Sequence, residues 1–398
     1  MPISPDTRRR IARSVTGILI LLLLAVVVQH AVLVPELGAR GVLIDFDAFY
    51  IVGQMFWEGR VAEAYRAAVM AEVQHALVGR DSFMPWTYPP QFDLIALLLP
   101  GLPRGLAYAV FTLGTLSAYL VLLARLSGPR FHWLLVALAP PISVTAAIGQ
   151  NAFLTGALTA LFCLATLRGR TAAGWPLGLL VIKPHLGIGL GVHALASARW
   201  WVLGIGVAIV IASSLLATLI LGPGIWAAFL GGAEEAGRAL RTEFYPLFRM
   251  TSVYAALHSL GIPPGPALWV QSGVGLAACG AIALGVRRGV AVHQTLAMAC
   301  FTAALVSPYL YDYDMVVTGI GLALIAGDVA QRSTLPERLA LLALIWVAGG
   351  WGMIHAVASA GLGWEDRAAV GRETLSYGAF AYALALLVLW RILRRAPH

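Results

Sequence analysis

The chain has 398 residues, of which 60% are apolar and only 12% are charged, and its mean hydropathy is +0.82. This composition excludes a soluble globular domain. Apolar runs of roughly 20 residues, the length that crosses ~30 Å of hydrocarbon, recur along the whole sequence. The net charge of +8 comes from basic residues placed singly or in pairs between these runs, so nucleic acid is not an expected partner.

The first apolar run, residues 14–34, follows a cluster of four arginines at positions 8, 9, 10 and 13. It is too long for the apolar region of a typical signal peptide, and no clear small-x-small cleavage site follows it. We therefore predict an uncleaved first span with a cytoplasmic N-terminus. Residues 35–88 then form a first extracytoplasmic loop.

The distribution of arginines decides which later apolar runs are full spans. The thirteen residues 88–100 reach only ~20 Å as a helix, which indicates a half-span or an interfacial helix. With residues 105–124 as the second span, the later basic clusters all fall on the cytoplasmic side. The remaining spans are predicted at 131–148, 152–167, 172–182, 186–197, 200–222, 265–286, 292–308, 313–327, 337–356 and 374–391.

The sequence thus predicts an all-α integral membrane protein of about twelve spans (ten to thirteen), with both termini in the cytoplasm. The pair 172–182 and 186–197 is short enough to be a re-entrant hairpin or a single span. No internal repeat or separable soluble domain is evident, so residues 1–398 form one transmembrane domain.

The extracytoplasmic loops carry helical periodicity, which predicts amphipathic helices lying on the outer surface. In the loop 35–88 the apolar residues fall on two such faces, in a second loop at 223–250 charges alternate with apolar residues, and a third loop spans 361–373. The residues that define these faces are Phe46, Phe49, Val52 and Phe56; Tyr65, Val69, Val73 and Leu77; and Leu240, Phe244 and Phe248.

Asp45 and Asp47 place two carboxylates just beyond the first span, where an otherwise apolar chain turns polar. Asp45 has two interpretations. It is either the N-cap of the helix that follows, or a functional carboxylate at the mouth of a cavity.

Four polar motifs interrupt the apolar spans, and the predicted topology places all of them at the same face as Asp45. Ionisable groups at membrane depth are costly and usually face a polar cavity or a partner. The motifs are residues 88–90 (Tyr-Pro-Pro), 149–151 (Gly-Gln-Asn), 183–185 (Lys-Pro-His) and 307–314 (Ser-Pro-Tyr-Leu-Tyr-Asp-Tyr-Asp).

Lys183 is the only lysine in a chain that otherwise uses arginine. A compact ammonium at such a position would hold a phosphate or pair with a carboxylate. Asp312 and Asp314 are either ion-pair partners of Lys183 or Arg249, or direct ligands. His185 alone is most often a packed histidine. Asp328, at the opposite edge, is expected to be a cytoplasmic cap.

The sequence contains no motif for a metal ion or an organic cofactor, and none is predicted. The cysteines at positions 163, 279 and 300 lie in apolar runs without metal-ligand spacing. Metalloprotease, P-loop, dinucleotide-binding and nucleophile-elbow motifs are absent. The glycines at 187, 189 and 191 indicate close helix packing.

Taken in order, five motifs resemble the polyprenyl-phosphate-sugar-dependent glycosyltransferases of family 87. The resemblance extends from about residue 14 to residue 330. The motifs are Asp45-Phe-x-x-Phe-Tyr50, Tyr88-Pro-Pro90, Gly149-Gln-Asn151, Ile182-Lys-Pro184 and Ser307-Pro…Tyr313-Asp314.

This resemblance implies a GT-C membrane fold in which the first extracytoplasmic loop carries the catalytic Asp, matched here by Asp45. It implies a polyprenyl-phosphate sugar donor, typically mannose, and transfer with inversion to a lipid or glycan acceptor outside the cytoplasm. The protein would lie in the inner or plasma membrane, among membrane lipids. The residues expected to bind the donor are Lys183, His185, Arg249, Tyr88, Gln150, Asn151, Tyr311, Asp314 and Asp47. Many family members carry a His or another group where Tyr311 stands, and Asp47 has no clear counterpart.

The chemistry of the motifs agrees with this reading, since glycosyl transfer needs a carboxylate base and cations for the departing phosphate. Two other classes compete with it. A transporter or flippase of a lipid-linked sugar would also bury Lys and Asp, although internal pseudo-repeats would then be typical. A noncatalytic scaffold would not need an acidic loop aligned with four polar motifs.

Overall fold

The chain is helical throughout the part that the computed structural model describes, which is residues 5–38, 41, 43–78, 83–241, 245–359, 362, 370 and 373–396. Within those ranges no strand forms, and extended backbone pairs at an isolated bridge between Met250 and Tyr311. The α-helices are α1 (Pro5–Leu33), α2 (Asp45–Trp57), α3 (Ala67–Val78), α4 (Pro90–Ala96), α5 (Arg104–Ser127), α6 (Phe131–Ala137), α7 (Ala139–Ile148), α8 (Ala152–Leu167), α9 (Gly174–Leu179), α10 (Pro184–Ala196), α11 (Trp200–Leu221), α12 (Ile225–Arg241), α13 (Val253–Ser259), α14 (Pro264–Arg287), α15 (Val292–Val306), α16 (Met315–Arg332), α17 (Leu335–Ala358) and α18 (Tyr377–Leu393).

Long apolar helices confirm the prediction of an all-α, multi-pass membrane protein. Leu219 of α11 is 82% exposed and Trp269 of α14 is 79% exposed, as expected for faces in contact with lipid. Six helices are long and apolar enough to cross a membrane: Arg10–Leu33, Arg104–Ala137, Trp200–Leu221, Pro264–Arg287, Asp312–Arg332 and Leu335–Ala358. Shorter apolar helices occupy the other predicted spans.

The predicted span 131–148 is interrupted at Leu138, where α6 ends and α7 begins. Pro140 and Pro141 lie in the first turn of α7, and a proline inside a helix removes a hydrogen bond and clashes with the preceding turn. The segment after Tyr88 forms only the seven-residue helix α4. Such a helix is ~10 Å long, which confirms that it does not cross the hydrocarbon by itself.

Helices α9 and α10 form a hairpin that rises from one end of the bundle and returns to it. The turn between them is at Lys183, whose backbone is not helical and which is followed by Pro184. After the hairpin, Arg199 donates a hydrogen bond of 3.1 Å to the carbonyl of Thr166, close to where the chain left α8. The short helices therefore carry Lys183 into the bundle without either of them being a full-length span.

The glycines at 187, 189 and 191 only partly meet the prediction of close packing. A Cβ on Gly189 would overlap the carbonyl oxygen of Ala299 in α15, so glycine is required there. At Gly191 nothing lies within 4 Å of such a Cβ, and at Gly187 the contact with Leu180 is ordinary.

Helix α2 is not the surface helix that its periodicity predicts. Residues on all of its sides are buried, because the first loop folds back over it and packs it into the main apolar core. Helix α12 does have a polar face, on which Glu234 and Arg238 form an exposed ion pair of 2.9 Å. Two parts of the predicted loops lie outside the described residues: Phe244 of the loop 223–250, and residues 363–369 of the loop 361–373.

The bundle has two ends that differ in chemistry. We call one the polar end: there α1 stops, α5 starts, and residues 247–250 and 311–314 lie together. We call the other the arginine end, where Arg332 bonds the carbonyl of Leu393 at 2.7 Å. Asp328, expected to be a helix cap, instead bridges helices at the arginine end by accepting from His293 and pairing with Arg332.

Candidate active site at the polar end

The polar motifs predicted from the sequence meet around Asp45 at the polar end. Motif 149–151 lies next to Asp45 because the chain turns at Gly149, the C-cap of α7, which has a φ of +64°. A Cβ on Gly149 would lie 2.7 Å from the Cβ of Phe46. Glycine is therefore needed both for the left-handed turn and for the close approach to α2.

Asp45 is the first residue of α2 and not its N-cap, which is Ile44. The capping is done by Asp47, whose Oδ2 accepts a hydrogen bond of 2.9 Å from the backbone N–H of Ile44. The N-cap interpretation of Asp45 is therefore wrong. Its carboxylate instead accepts a hydrogen bond of 2.8 Å from Nε2 of Gln150.

The electrostatic surroundings of Asp45 work in opposite directions. Burial raises the pKa of Asp45 above its ordinary value, while the nearby Arg249, the Gln150 hydrogen bond and Lys183 lower it. Among the described residues, none forms an ion pair with Asp45. The result is a carboxylate that accepts a proton more readily than an ordinary surface aspartate does.

Gln150 links Asp45 to the Tyr-Pro-Pro motif. Its Oε1 accepts a hydrogen bond of 2.7 Å from the hydroxyl of Tyr88 and one of 2.8 Å from the backbone N–H of Asn151. Burial raises the pKa of the Tyr88 phenol well above its ordinary value, and the neighbouring carboxylates raise it further. Tyr88 therefore stays protonated and acts as a donor.

Both predicted cations are held by carboxylates. Lys183 donates a hydrogen bond of 2.7 Å to Oδ1 of Asp314, and both side chains are buried. Arg249 makes a two-pronged contact with Asp312, of 2.9 Å from Nη2 and 3.2 Å from Nε. Of the two interpretations of Asp312 and Asp314, the structure thus shows the ion pairs: Asp314 with Lys183, and Asp312 with Arg249.

Tyr313 brings the two cations together. Nζ of Lys183 lies 5.1 Å from the centre of its ring, and the guanidinium carbon of Arg249 lies 5.8 Å from it. Tyr311 stacks on Tyr313 with ring centres 5.3 Å apart and also faces Arg249. Such contacts favour cations that have lost much of their water.

A glycine of α17 makes room for the Arg249–Asp312 pair. A Cβ on Gly352 would overlap Oδ2 of Asp312 and lie 2.9 Å from Cγ of Arg249. The absence of a side chain at this position allows the pair to lie directly against the helix.

Asp47 is separated from this cluster by its own partner. Arg104, at the start of α5, donates to Oδ1 of Asp47 at 2.6 Å and to the carbonyl of Val34 at 2.7 Å. Both charged side chains are almost fully buried. The pair joins the end of α1 and the starts of α2 and α5, which is a structural task.

His185 and Asn151 lie beside the cluster without hydrogen bonds from their key atoms. Nε2 of His185 is buried and unpaired among the described residues, next to Lys183. Both polar atoms of the Asn151 side chain are also buried, and within that same part of the chain their contact with the Tyr88 hydroxyl falls short of a well-formed hydrogen bond.

Sequence reasoning missed three buried polar residues in and around this end of the bundle. The only sequence signal of Arg104 is its position as a basic residue at the start of a helix. The only signal of Tyr313 is its place in a motif of alternating tyrosines. Asp93 is buried and accepts hydrogen bonds of 2.9 Å from the hydroxyl of Tyr65 and from the indole of Trp86. Burial raises the pKa of Asp93 to about 8. Its only sequence signal is one acid in an apolar segment.

The architecture and this cluster define a class: a polytopic helical membrane protein with a buried, charged site at one end of its bundle. The model of glycosyltransferase family 87 matches residues 86–308, which is more than half of the chain. The chain belongs to glycosyltransferase family 87 and is therefore a membrane glycosyltransferase. No curated protein and no solved structure matches it.

The matched range does not include every residue of the site. It contains Tyr88, motif 149–151, Lys183 and Arg249, but it leaves out Asp45 and Asp314. The family match therefore carries no information about the role of Asp45.

Proposed function

We propose that the protein transfers a sugar, most simply mannose, from a polyprenyl-phosphate donor to a hydroxyl of a lipid or glycan acceptor, with inversion. One observation carries this proposal. Asp45 is a desolvated carboxylate without an ion pair among the described residues, and it lies in the field of Lys183 and Arg249. A base beside two cations is what transfer from a lipid phosphate requires.

Asp45 is the proposed general base. Its carboxylate takes the proton of the acceptor hydroxyl while the oxygen forms a bond to C1 of the sugar. On the opposite face, the bond between C1 and the phosphate oxygen breaks, and its electron pair leaves with the phosphate. A single displacement of this kind inverts the configuration at C1.

Lys183 and Arg249 are the proposed holders of the phosphate. Each is now bound to a carboxylate, Asp314 and Asp312 respectively, so the donor phosphate would share or replace these contacts. Lys183 offers three rotatable donors, and Arg249 offers a planar fork that matches phosphate oxygens. Tyr88 and Tyr311 are proposed to line the path of the donor, and His185 the edge of the phosphate site.

Charge in the site changes little during the proposed reaction. The donor phosphodiester has one negative charge, and the phosphate monoester that leaves gains up to one more. Asp45 loses a negative charge at the same step, because it takes the acceptor proton. The proton uptake therefore offsets the charge that the leaving group gains, without a change in the net charge of a poorly solvated site.

The polar end is proposed to face away from the cytoplasm, in the inner or plasma membrane, with both termini in the cytoplasm. The basic residues support this orientation because they gather at the arginine end, and positive residues favour the cytoplasmic side. Examples are Arg125, Arg168, Arg288, Arg332 and Arg395.

The test is transfer by the purified protein in lipid nanodiscs. Radiolabelled polyprenyl-phosphate mannose is supplied with an extract of envelope lipids, and labelled product is separated from donor. We expect label in a new lipid or glycan with released polyprenyl phosphate. Movement of intact donor between the leaflets of a liposome without covalent transfer would instead support a flippase and overturn the proposal.

A further inference from the structure

Two adjacent amides in motif 149–151 have opposite hydrogen-bonding states. The Gln150 amide bonds the hydroxyl of Tyr88, the backbone N–H of Asn151 and the carboxylate of Asp45. The Asn151 amide is equally buried, but in the part of the chain that is described its contact with the Tyr88 hydroxyl falls short of a well-formed hydrogen bond, and its other polar atom has no partner. One amide is fully bonded within the protein, and the other keeps hydrogen-bonding capacity for a ligand.

The contacts of Gln150 determine which way its amide points. Oε1 accepts two hydrogen bonds, which is the full capacity of a carbonyl oxygen. Turning the amide over would place its N–H₂ against the backbone N–H of Asn151, which can only donate. The N–H₂ group must therefore face Asp45, and little capacity is left for binding a donor.

We propose that Gln150 is a positioning residue for Asp45. Its N–H holds Oδ2 of the carboxylate at 2.8 Å, which leaves Oδ1 free to face the acceptor hydroxyl. The hydrogen bond from Tyr88 orients the Gln150 amide, and the amide in turn fixes the rotamer of Asp45. The amide N–H of Gln150 also favours the charged form of the carboxylate. The assignment deepens the proposed function, on which it rests for the role of Asp45 as a base.

Several groups besides Gln150 affect the titration of Asp45. Arg249 and Lys183 favour its charged form, and Asp312 opposes it. The same cations are paired with Asp312 and Asp314, and these pairs do not involve Gln150. Replacing Gln150 therefore removes the one hydrogen bond that favours the charged form of Asp45, together with its bonds to Tyr88 and the Asn151 backbone, and leaves the ion pairs in place.

The variant Gln150→Met tests this assignment, because methionine has a similar length and no hydrogen bond. We expect kcat to fall roughly 10-fold to 100-fold, the KM for donor to change by less than about threefold, and the acidic limb of the rate profile to move to higher pH. The matched control is Gln91→Met, a buried glutamine of α4 that bonds Ser214 at 2.9 Å, which should leave the limb unchanged.

A second measurement works without turnover. Infrared titration of the carboxyl groups, with Asp45→Asn as the subtraction reference, should show that Gln150→Met raises the pKa of Asp45. A shifted pKa in a protein without transferase activity would keep the positioning role and reject the proposed function. An unshifted pKa, or a raised KM with unchanged kcat, would overturn the positioning role.

The side-chain amide of Asn151 has hydrogen-bonding capacity that the described part of the protein does not use. A buried amide whose hydrogen-bonding capacity is not used destabilises a folded protein, and such groups are rare in native structures. Its side chain lies beside the hydroxyl of Tyr88, one residue from the amide that holds Asp45. A primary amide donates and accepts at once, which complements two neighbouring hydroxyls of a sugar. We infer that Asn151 binds the hydroxyls of the transferred sugar.

The variant Asn151→Leu separates this role from packing and from phosphate binding. Leucine is similar in size and leaves no unsatisfied amide, so the melting temperature should stay the same or rise. Affinity for the sugar-linked polyprenyl phosphate, measured by the thermal shift it produces, should fall about 10-fold to 100-fold. Affinity for sugar-free polyprenyl phosphate should not change. Equal loss of both affinities, or a lower melting temperature without ligand, would overturn the inference.

Discussion

The ion pairs at the two ends of the bundle differ in exposure. At the polar end Lys183 and Asp314 expose 8% and 2% of their side chains. At the arginine end the exposure varies: Arg391 exposes 71% of its side chain where it approaches Glu337, whereas Arg332 and Asp328 expose 18% and 12%. Exposed pairs contribute little to stability, whereas buried pairs have to repay a large desolvation cost. At the polar end two of these buried pairs, Lys183–Asp314 and Arg249–Asp312, surround the proposed base, while the third, Asp47–Arg104, joins three helix ends.

A second contrast lies within the polar end, between carboxylates two residues apart. Asp47 is bound by Arg104 and by a backbone N–H, and so its hydrogen-bonding capacity is used for structure. Asp45 is bound by one neutral amide among the described residues. This difference supports the proposal that Asp45, which has no cationic partner in that part of the chain, is the carboxylate that acts on the substrate.

The largest expected effect follows from changing Asp45. Asp45→Asn keeps the size and the hydrogen-bonding reach of the side chain but cannot accept a proton. Transfer should therefore fall on the order of 10²-fold to 10⁴-fold. The melting temperature and the affinity for polyprenyl phosphate should stay close to those of the wild type. Wild-type rates in this variant would remove Asp45 from catalysis.

The next effect concerns the phosphate site. Lys183→Met should raise the KM for donor about 10-fold to 100-fold, the loss expected for a charged hydrogen bond, and Lys183→Arg should restore it only in part. The change also leaves Asp314 unpaired, so Lys183→Met should be combined with Asp314→Asn to recover folding. A double variant that folds and uses donor normally would return Lys183 to a structural role.

The Asp47–Arg104 pair should matter for stability rather than for the chemical step. Asp47→Asn leaves Arg104 buried without its counter-charge, which should reduce the free energy of unfolding by about 3–5 kcal/mol. Changing Arg104 to Met as well should recover most of that loss. The free energies of unfolding of the single and double variants, measured by chemical denaturation, form a double-mutant cycle that gives the coupling between the two side chains. Loss of transfer in a stable double variant would contradict the structural assignment.

The smallest effect is expected at the arginine end. Arg395 pairs with Glu337 at 2.8 Å in a partly exposed position. Arg395→Ala should lower the melting temperature by at most about 2 °C and leave transfer unchanged, because exposed pairs contribute little. A large loss of activity would show that the difference between the two ends is not one of function.

The sequence alone determined the class of the protein and most of its long helices. Hydropathy and length are local properties of the chain, so α1, α5, α11, α14, α16 and α17 could be predicted without knowing their neighbours. The interruption of the helix at Leu138 also has a local cause in the sequence, namely the two prolines that follow it. The resemblance to family 87, and the motifs that carry it, were readable for the same reason.

Only the tertiary structure decided which polar residues are partners. The family resemblance separated Asp45 from Asp47, but the sequence could not give the physical reason, because Arg104, which binds Asp47, is 57 residues away along the chain. It allowed either cation for Asp314, and the fold chose Lys183 at a separation of 131 residues. Partners at such distances follow from how the helices pack. The packing also buries all sides of α2 and turns α9 and α10 at Lys183, and a local pattern of residues does not contain that information.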